Sequence, residues 1–252
     1  MRKRTIIALI LSTMLAGAAF VIFYVRPVIS NSLPILLTIA SGSSHWETVN
    51  KTIEHVDIPD SKLTGERLDY FGMSFVFPHE TKVRYQPKPI AGLSSVVLSY
   101  NENDSLLIMG GNISVVDLWK KDNRINQGRT MFQIYESIGI DLENDFKYKK
   151  QIYSWNIFNL LSPNKSDGMR NILLSTLKIV ELETKTHVYW FETQNMRGFI
   201  SINDYSYIVD IYENSNINHQ IVFNRASLKD ILNILSTVEF AEYTPSTSEE
   251  KE

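Results

Sequence analysis

The residues Ser175-Thr176-Leu177-Lys178 have the types and spacing of a Ser-X-X-Lys pair, in which a neutral lysine can take the serine proton and create a nucleophile. In acyl-enzymes of that kind the serine opens a helix and companion motifs follow. Here Ser175 falls in the middle of a helical pattern, and Lys185-Thr186-His187 stands where Lys-Thr-Gly would be needed. A Ser/Lys hydrolase is one reading of this motif; a chance four-residue pattern is the other. The five histidines, His45, His55, His79, His187 and His219, include no i, i+4 pair, and His79-Glu80 lacks the second histidine of a zincin helix. Gly92-Leu93-Ser94-Ser95 is not the Gly-X-Ser-X-Gly of a nucleophile elbow. Gly110-Gly111-Asn112 carries neither Gly-Lys-Ser/Thr nor Gly-X-Gly-X-X-Gly, so it reads as a turn before the capping box Ser114 to Asp117 rather than as a phosphate cradle.

There is no cysteine, which excludes disulfides, thiolate catalysis and cysteine-ligated metal centres. No catalytic, cofactor-binding or metal-ligating residue is assigned from these patterns, and no cofactor is expected. Aromatic residues cluster in Tyr153-Ser154-Trp155-Asn156-Ile157-Phe158 and in Val188-Tyr189-Trp190-Phe191, where they can either pack a core or line a ligand pocket.

Of the 25 lysines and arginines, Arg2, Lys3, Arg4 and Arg26 lie in the first 26 residues, which hold no acid. The remainder has 21 bases against 28 acids. So acidic a body lacks the basic footprint that phosphate backbones require, which argues against a nucleic-acid partner. From Thr5 to Val25 the chain runs 21 residues without a charge. A helix of that length covers roughly 30 Å, the thickness of a bilayer core. A secretory signal cut after Ala16-Gly17-Ala18 is the alternative, but the apolar run continues past that point to Tyr24 and Arg26, residues suited to the interface. Three bases before the run and one after it place the N-terminus in the cytoplasm.

The expected organisation is a basic tip and signal anchor over 1–26, a membrane-proximal segment and linker over 27–68, an extracytoplasmic domain over 69–240, and a disordered tail over 241–252. The apolar stretch from Val28 to Ala40 is interrupted by Pro34 and either extends the anchor, lies at the membrane surface or packs on the body.

Within the body, Gly72–Pro78, Leu93–Tyr100 and Ser105–Gly111 read as short strands, the last two joined by a hairpin at Asn101-Glu102-Asn103-Asp104. A helical block follows. Met131, Ile134, Tyr135 and Ile138 share a face before Gly139; a second helix is expected near Ile152 to Leu161. A third begins near Asp167, with Met169, Leu173, Leu177 and Val180 as its stripe. Strands return at Thr186–Thr193, Gly198–Asn203, Tyr205–Asn214 and His219–Asn224. A capping box at Ser227 and Asp230 then opens a helix with Leu228, Ile231, Leu232 and Leu235 inward, and Val238–Phe240 closes the fold. Strands and helices segregate, which predicts an α+β fold: an antiparallel sheet of about six or seven strands packed with helices, behind one N-terminal transmembrane helix.

The opening Tyr70-Phe71-Gly72-Met73-Ser74-Phe75-Val76-Phe77-Pro78 and the closing Ile231-Leu232-Asn233-Ile234-Leu235-Ser236-Thr237-Val238-Glu239-Phe240 resemble the PsbP/Mog1-like group, which includes DcrB-type bacterial envelope proteins. That group is largely a binding and assembly scaffold without a shared catalytic site, so the resemblance concerns the fold and carries over no function. The function expected from the sequence is a non-enzymatic binding protein anchored in the bacterial inner membrane and facing the periplasm. It would bind a protein partner, in one version as an immunity-type protein that neutralises an envelope-acting toxin. The alternatives are an envelope small-molecule or lipid-binding protein and the Ser/Lys hydrolase.

Overall fold

The computed structural model describes residues 13–40, 43–60, 62–85, 94–102, 104–112, 114–122, 124–126, 128–161, 165–213 and 218–241. Residues 1–12, the tail after Ala241 and the side chain of Asp167, the expected helix cap, lie outside them. The chain divides into two compact units. A helical unit comprises Met1–Thr52, Asp122–Glu143 and Lys147–Glu183, and an α+β unit comprises Ile53–Lys121, Asn144–Phe146 and Thr184–Glu252.

In the helical unit the chain is helical from the first described residue, Thr13, widens into a π turn over Val21–Val25 and continues as α1, Arg26–Ala40. It is the one helix among the described residues long and apolar enough to cross a membrane, over Thr13–Leu37. The helix runs through Pro34, which has no N–H to donate into it. Ser32, Ile35 and Ile39, spaced by three and four residues, are buried, and α1 packs on α2 (Ser43–Asn50), on a 3-10 turn at Ile157–Leu161 and on α6 (Lys165–Leu182). The stretch Ser41–Leu68, expected to be mostly linker, therefore holds α2, and beyond it strand β1 (Ile53–His55) and the start of β2 (Glu66–Tyr70).

Further helices among the described residues include α3 (Val115–Lys121, in the α+β unit), α4 (Met131–Ser137) and α5 (Asp145–Ser154). Thr130 and Gln133 form a reciprocal capping box at the start of α4, and Gly139 takes a positive φ just after it ends. The single helix expected near Ile152–Leu161 is instead α5, a break at Trp155-Asn156, and the 3-10 turn. The Asn156 side chain accepts the Phe158 N–H and draws the chain out of the α-helical path.

The α+β unit is built on an eight-stranded sheet in the order β1-β9-β10-β11-β12-β6-β5-β4. Its other members are β4 (Lys82–Tyr85), β5 (Ser94–Ser99), β6 (Ser105–Asn112), β9 (His187–Glu192), β10 (Met196–Ile202), β11 (Ser206–Glu213) and β12 (Asn218–Asn224). All its pairings are antiparallel except β1 with β9. A separate three-stranded sheet orders β13 (Glu239–Phe240), β3 (Met73–Phe77) and β2, and Ile125–Asn126 and Arg129–Thr130 (β7 and β8) form a small ribbon in the helical unit. The single sheet of six or seven strands is thus corrected: β3 leaves the expected meander and pairs with the end of the chain. Leu68, Met73, Phe75 and Phe77 of the small sheet, Ile231, Ile234 and Leu235 of α7 (Leu228–Leu235), and one face of the large sheet (Val96, Leu98, Leu106, Ile108, Ile200, Val209, Ile211, Ile221, Phe223) make one core.

Gly110 shows what the Gly-Gly-Asn triplet does. It lies inside β6, paired with Ser94, and not in a turn. Phe71 and Gly72, both with positive φ, form the two-residue turn that joins β2 to β3, and the Phe71 side chain lies against Gly110. A Cβ at Gly110 would fall 2.2 Å from that of Phe71. Gly110→Ala is expected to destabilise the unit by about 2–3 kcal/mol. In a Phe71→Gly background, where the obstructing side chain is gone, the cost should drop below about 1 kcal/mol. Urea denaturation of the four members of this cycle measures it; an unchanged cost in that background would refute the steric account.

Candidate functional site

The Ser-X-X-Lys motif is placed on the buried face of α6. Asn171, Leu174, Ser175, Lys178, Ile179 and Leu182 point inward, while Met169 and Val180, assigned to the stripe from sequence, are exposed. The true stripe is offset because it contains a serine and a lysine, which a hydrophobic pattern skips. Ser175 and Lys178 are each 1% exposed, and the Ser175 hydroxyl donates to the Ile172 carbonyl at 2.9 Å. The Lys178 ammonium donates to the carbonyls of Lys51 (2.7 Å) and Trp155. Lys51 in turn reaches the Leu182 carbonyl at the C-terminus of α6, where a cation is favoured. Burial lowers the Lys178 pKa to about 8. Lys178 is spent on closing the ends of α2 and α5, Ser175 bonds within its own helix, and both are buried among the described residues.

The aromatic segments divide: Phe158 is exposed and Tyr189 and Trp190 are half-buried, while the others face inward. Tyr153, Trp155 and Phe191 are buried, and Trp155 donates its indole N–H to Asn171, whose amide closes on the Asn159 carbonyl. The histidines stay apart: His55 packs edge-on against Trp190, His187 against Tyr189, and His219 under Phe240. The side chain of His45 lies outside the described residues, and no group of three potential metal ligands occurs among the described ones.

A concave feature of the α+β unit lies elsewhere. A cleft of about 300 Å³ opens where the end of β3, the β5–β6 hairpin and the β12–α7 junction converge; its lining includes Phe77, His79, Tyr100, Asp104, Arg225 and Asp230. Its wall is aromatic. The rings of His79 and Tyr100 are near-parallel at 5.6 Å, and Phe77 meets Tyr100 edge-on at 5.0 Å. The Tyr100 hydroxyl donates to the Asn224 carbonyl at 2.7 Å, and burial, reinforced by the Asp104 charge, raises its pKa. Asp104 is steadied by the Asn101 amide at 3.1 Å, and its other carboxylate oxygen lies 3.8 Å from Arg225 Nε. Arg225 holds a positive φ of 59°, an uncommon state for a residue with a side chain, and projects outward. Ser227 caps α7 beside it through the Asp230 N–H, as the Ser-Leu-Lys-Asp pattern predicts. A cleft with an aromatic wall, the Asp104–Arg225 pair and a second acid, Asp230, suits a partner side chain or a small molecule with both an apolar body and a polar end. Its residues come from three separated segments, so no motif announced it; the hairpin at Asp104 and the cap at Ser227 were the only local signals.

By fold and surface, the chain is an α+β protein with one apolar N-terminal helix long enough to span a membrane. Comparison with known proteins finds no matching family model, no matching curated protein and no matching solved structure.

Proposed function

We propose that this chain is a membrane-anchored binding protein of the bacterial inner membrane, with its N-terminus in the cytoplasm and its α+β unit presenting the Phe77/His79/Tyr100 cleft to a protein partner in the periplasm. The observation that carries the reading is the helix from residue 13 onward, whose Met14, Leu15, Phe20, Val21, Ile22 and Phe23 are all exposed. Apolar side chains in such a continuous array are stable in lipid and costly in water. An immunity-type protein that blocks an envelope-acting toxin is the specific form we favour, supported by the acidic body and by a cleft with aromatic and charged anchors of the sort protein interfaces use. The kinship to PsbP/Mog1-like scaffolds belongs to the same proposal. Its support is that the two stretches carrying the resemblance meet in one sheet, with Glu239 paired to Ser74 and Phe240 to Met73. A small-molecule ligand is the second reading, favoured by the cleft's volume.

In alkaline carbonate extraction the full chain should remain with the membrane pellet, and a chain lacking residues 1–25 should leave it; release of the full chain would sink the anchor. For the partner, crosslinking in intact envelopes with toxins encoded beside this gene should give an adduct that Arg225→Glu weakens at least tenfold. An adduct insensitive to that reversal would move the interface away from the cleft.

A further inference from the structure

The tether has no slack. The sequence is uncharged from Thr5 to Val25 and again from Pro27 to Trp46, with Arg26 between. A bilayer placed over Thr13–Leu37 would hold Arg26 at its centre, at a cost of about 3 kcal/mol, and would draw the docked turn with Asn156 and Asn159 toward hydrocarbon. Placed over Thr5–Val25, it leaves Tyr24 and Arg26 at the headgroups. The helix continues unbroken from there, and Ser32, only six residues beyond Arg26, already donates to the Leu160 carbonyl at 2.6 Å. Six residues of helix rise roughly 9 Å. The headgroup layer is itself roughly 5–8 Å deep. The helical unit is therefore docked onto its own anchor at the height of the membrane surface, and tilting the helix would only bring it lower.

What that unit exposes at this height includes, beside Ser30, Asn156 and Asn159, a set of large apolar side chains. Ile29, Leu33, Leu36 and Leu37 form one face of α1 adjoining the docked face, and Phe158, in the very turn that α1 grips, is 74% exposed. We infer that the lower part of this face, Ile29 and Leu33, and Phe158 are a second membrane contact, seated in the headgroup layer of the bilayer that holds the span. The anchor is then a rigid post rather than a leash, and the helical unit keeps a set height and orientation on the membrane. The inference rests on the anchor reading, and the test separates the two.

The chain has no native thiol, so Phe20→Cys, Leu33→Cys and Phe158→Cys each provide a single labelling site. All three side chains are exposed, so substitution leaves the packing intact. The full-length variants, labelled with a small environment-sensitive dye, are reconstituted in vesicles of equal parts phosphatidylcholine and phosphatidylglycerol. They are probed with nitroxides on the headgroup or mid-chain and with iodide in the water, using the dye on glutathione as the fully wet reference. The expected result is mid-chain quenching at Phe20, headgroup-nitroxide quenching at both Leu33 and Phe158, and iodide quenching severalfold below the reference at all three. Lipid quenching at Phe20 with reference-level iodide quenching at Leu33 or Phe158 overturns the second contact and leaves the anchor standing. Reference-level iodide quenching at Phe20 overturns the anchor, and the second contact with it.

Discussion

Alanine at Asp145 should lower the unfolding free energy of the α+β unit by about 3 kcal/mol, read as a fall in the urea midpoint with an unchanged slope. The Asp145 carboxylate is 5% exposed and accepts three hydrogen bonds at 2.9 Å: one from the Ser114 hydroxyl and two from the Val115 and Val116 N–H groups at the first turn of α3. Helix starts leave such N–H groups without partners in the helix, and a negative charge there also meets the positive end of the helix dipole. Removing the carboxylate strands two backbone donors and a hydroxyl in a buried place, each a loss on the order of 1 kcal/mol. An asparagine at this position would keep one acceptor oxygen and lose the charge, so Asp145→Asn should fall between wild type and Asp145→Ala. Equal stability of wild type and Asp145→Ala would mean that water replaces the carboxylate and that the helix start is not sealed. Ser114 also caps Asp117, so Ser114→Ala should cost less than Asp145→Ala.

The second large effect is a loss of stability in acid that belongs to one imidazole. His219 is 2% exposed on the core face of β12, directly opposite Ile211, with Phe240 at 5.5 Å and, among the described residues, no hydrogen-bond partner for Nδ1. Burial lowers its pKa to about 4, because the charged form cannot be solvated there. An unfolded histidine titrates near 6.5. Between those values the unfolded chain binds a proton that the folded chain refuses, so stability falls as pH drops from about 6.5 to about 4 and is complete above that window. The contribution over the whole window is about 3 kcal/mol. His219→Leu fills similar space and does not titrate. The difference in unfolding free energy between wild type and His219→Leu should therefore change by about 3 kcal/mol between pH 7 and pH 4. A difference that stays constant with pH would show that water reaches the ring. The mean burden of the carboxylates cancels in that difference, which makes the comparison specific to this residue.

The sequence by itself determined the elements whose signals are local. Short β-rich runs marked β5, β6 and β9 to β12, the Ser114–Asp117 and Ser227–Asp230 boxes marked helix starts, Gly139 marked a stop, and an uncharged run marked the apolar N-terminal helix. These depend on neighbours within a few residues, and the chain carries them whatever its tertiary partners. It did not determine the strand partners. β3 reads as the first strand of a meander, yet its hydrogen bonds go to β2 and to β13 at the far end of the chain; β1, in the supposed linker, adds to the large sheet as its one parallel edge.

The helix face of α6 was misassigned for a physical reason. Hydrophobic periodicity locates apolar surface, but this face closes around Ser175, satisfied by the Ile172 carbonyl of its own helix, and Lys178, satisfied by carbonyls from distant segments. The cleft was invisible for the same reason: His79, Tyr100, Asp104 and Arg225 acquire a shared role only when the β3 end, a hairpin and a helix start converge. Long-range convergence carries no local pattern, since its free energy comes from burying surface that any of several arrangements could bury, and only the closed core of the α+β unit selects one.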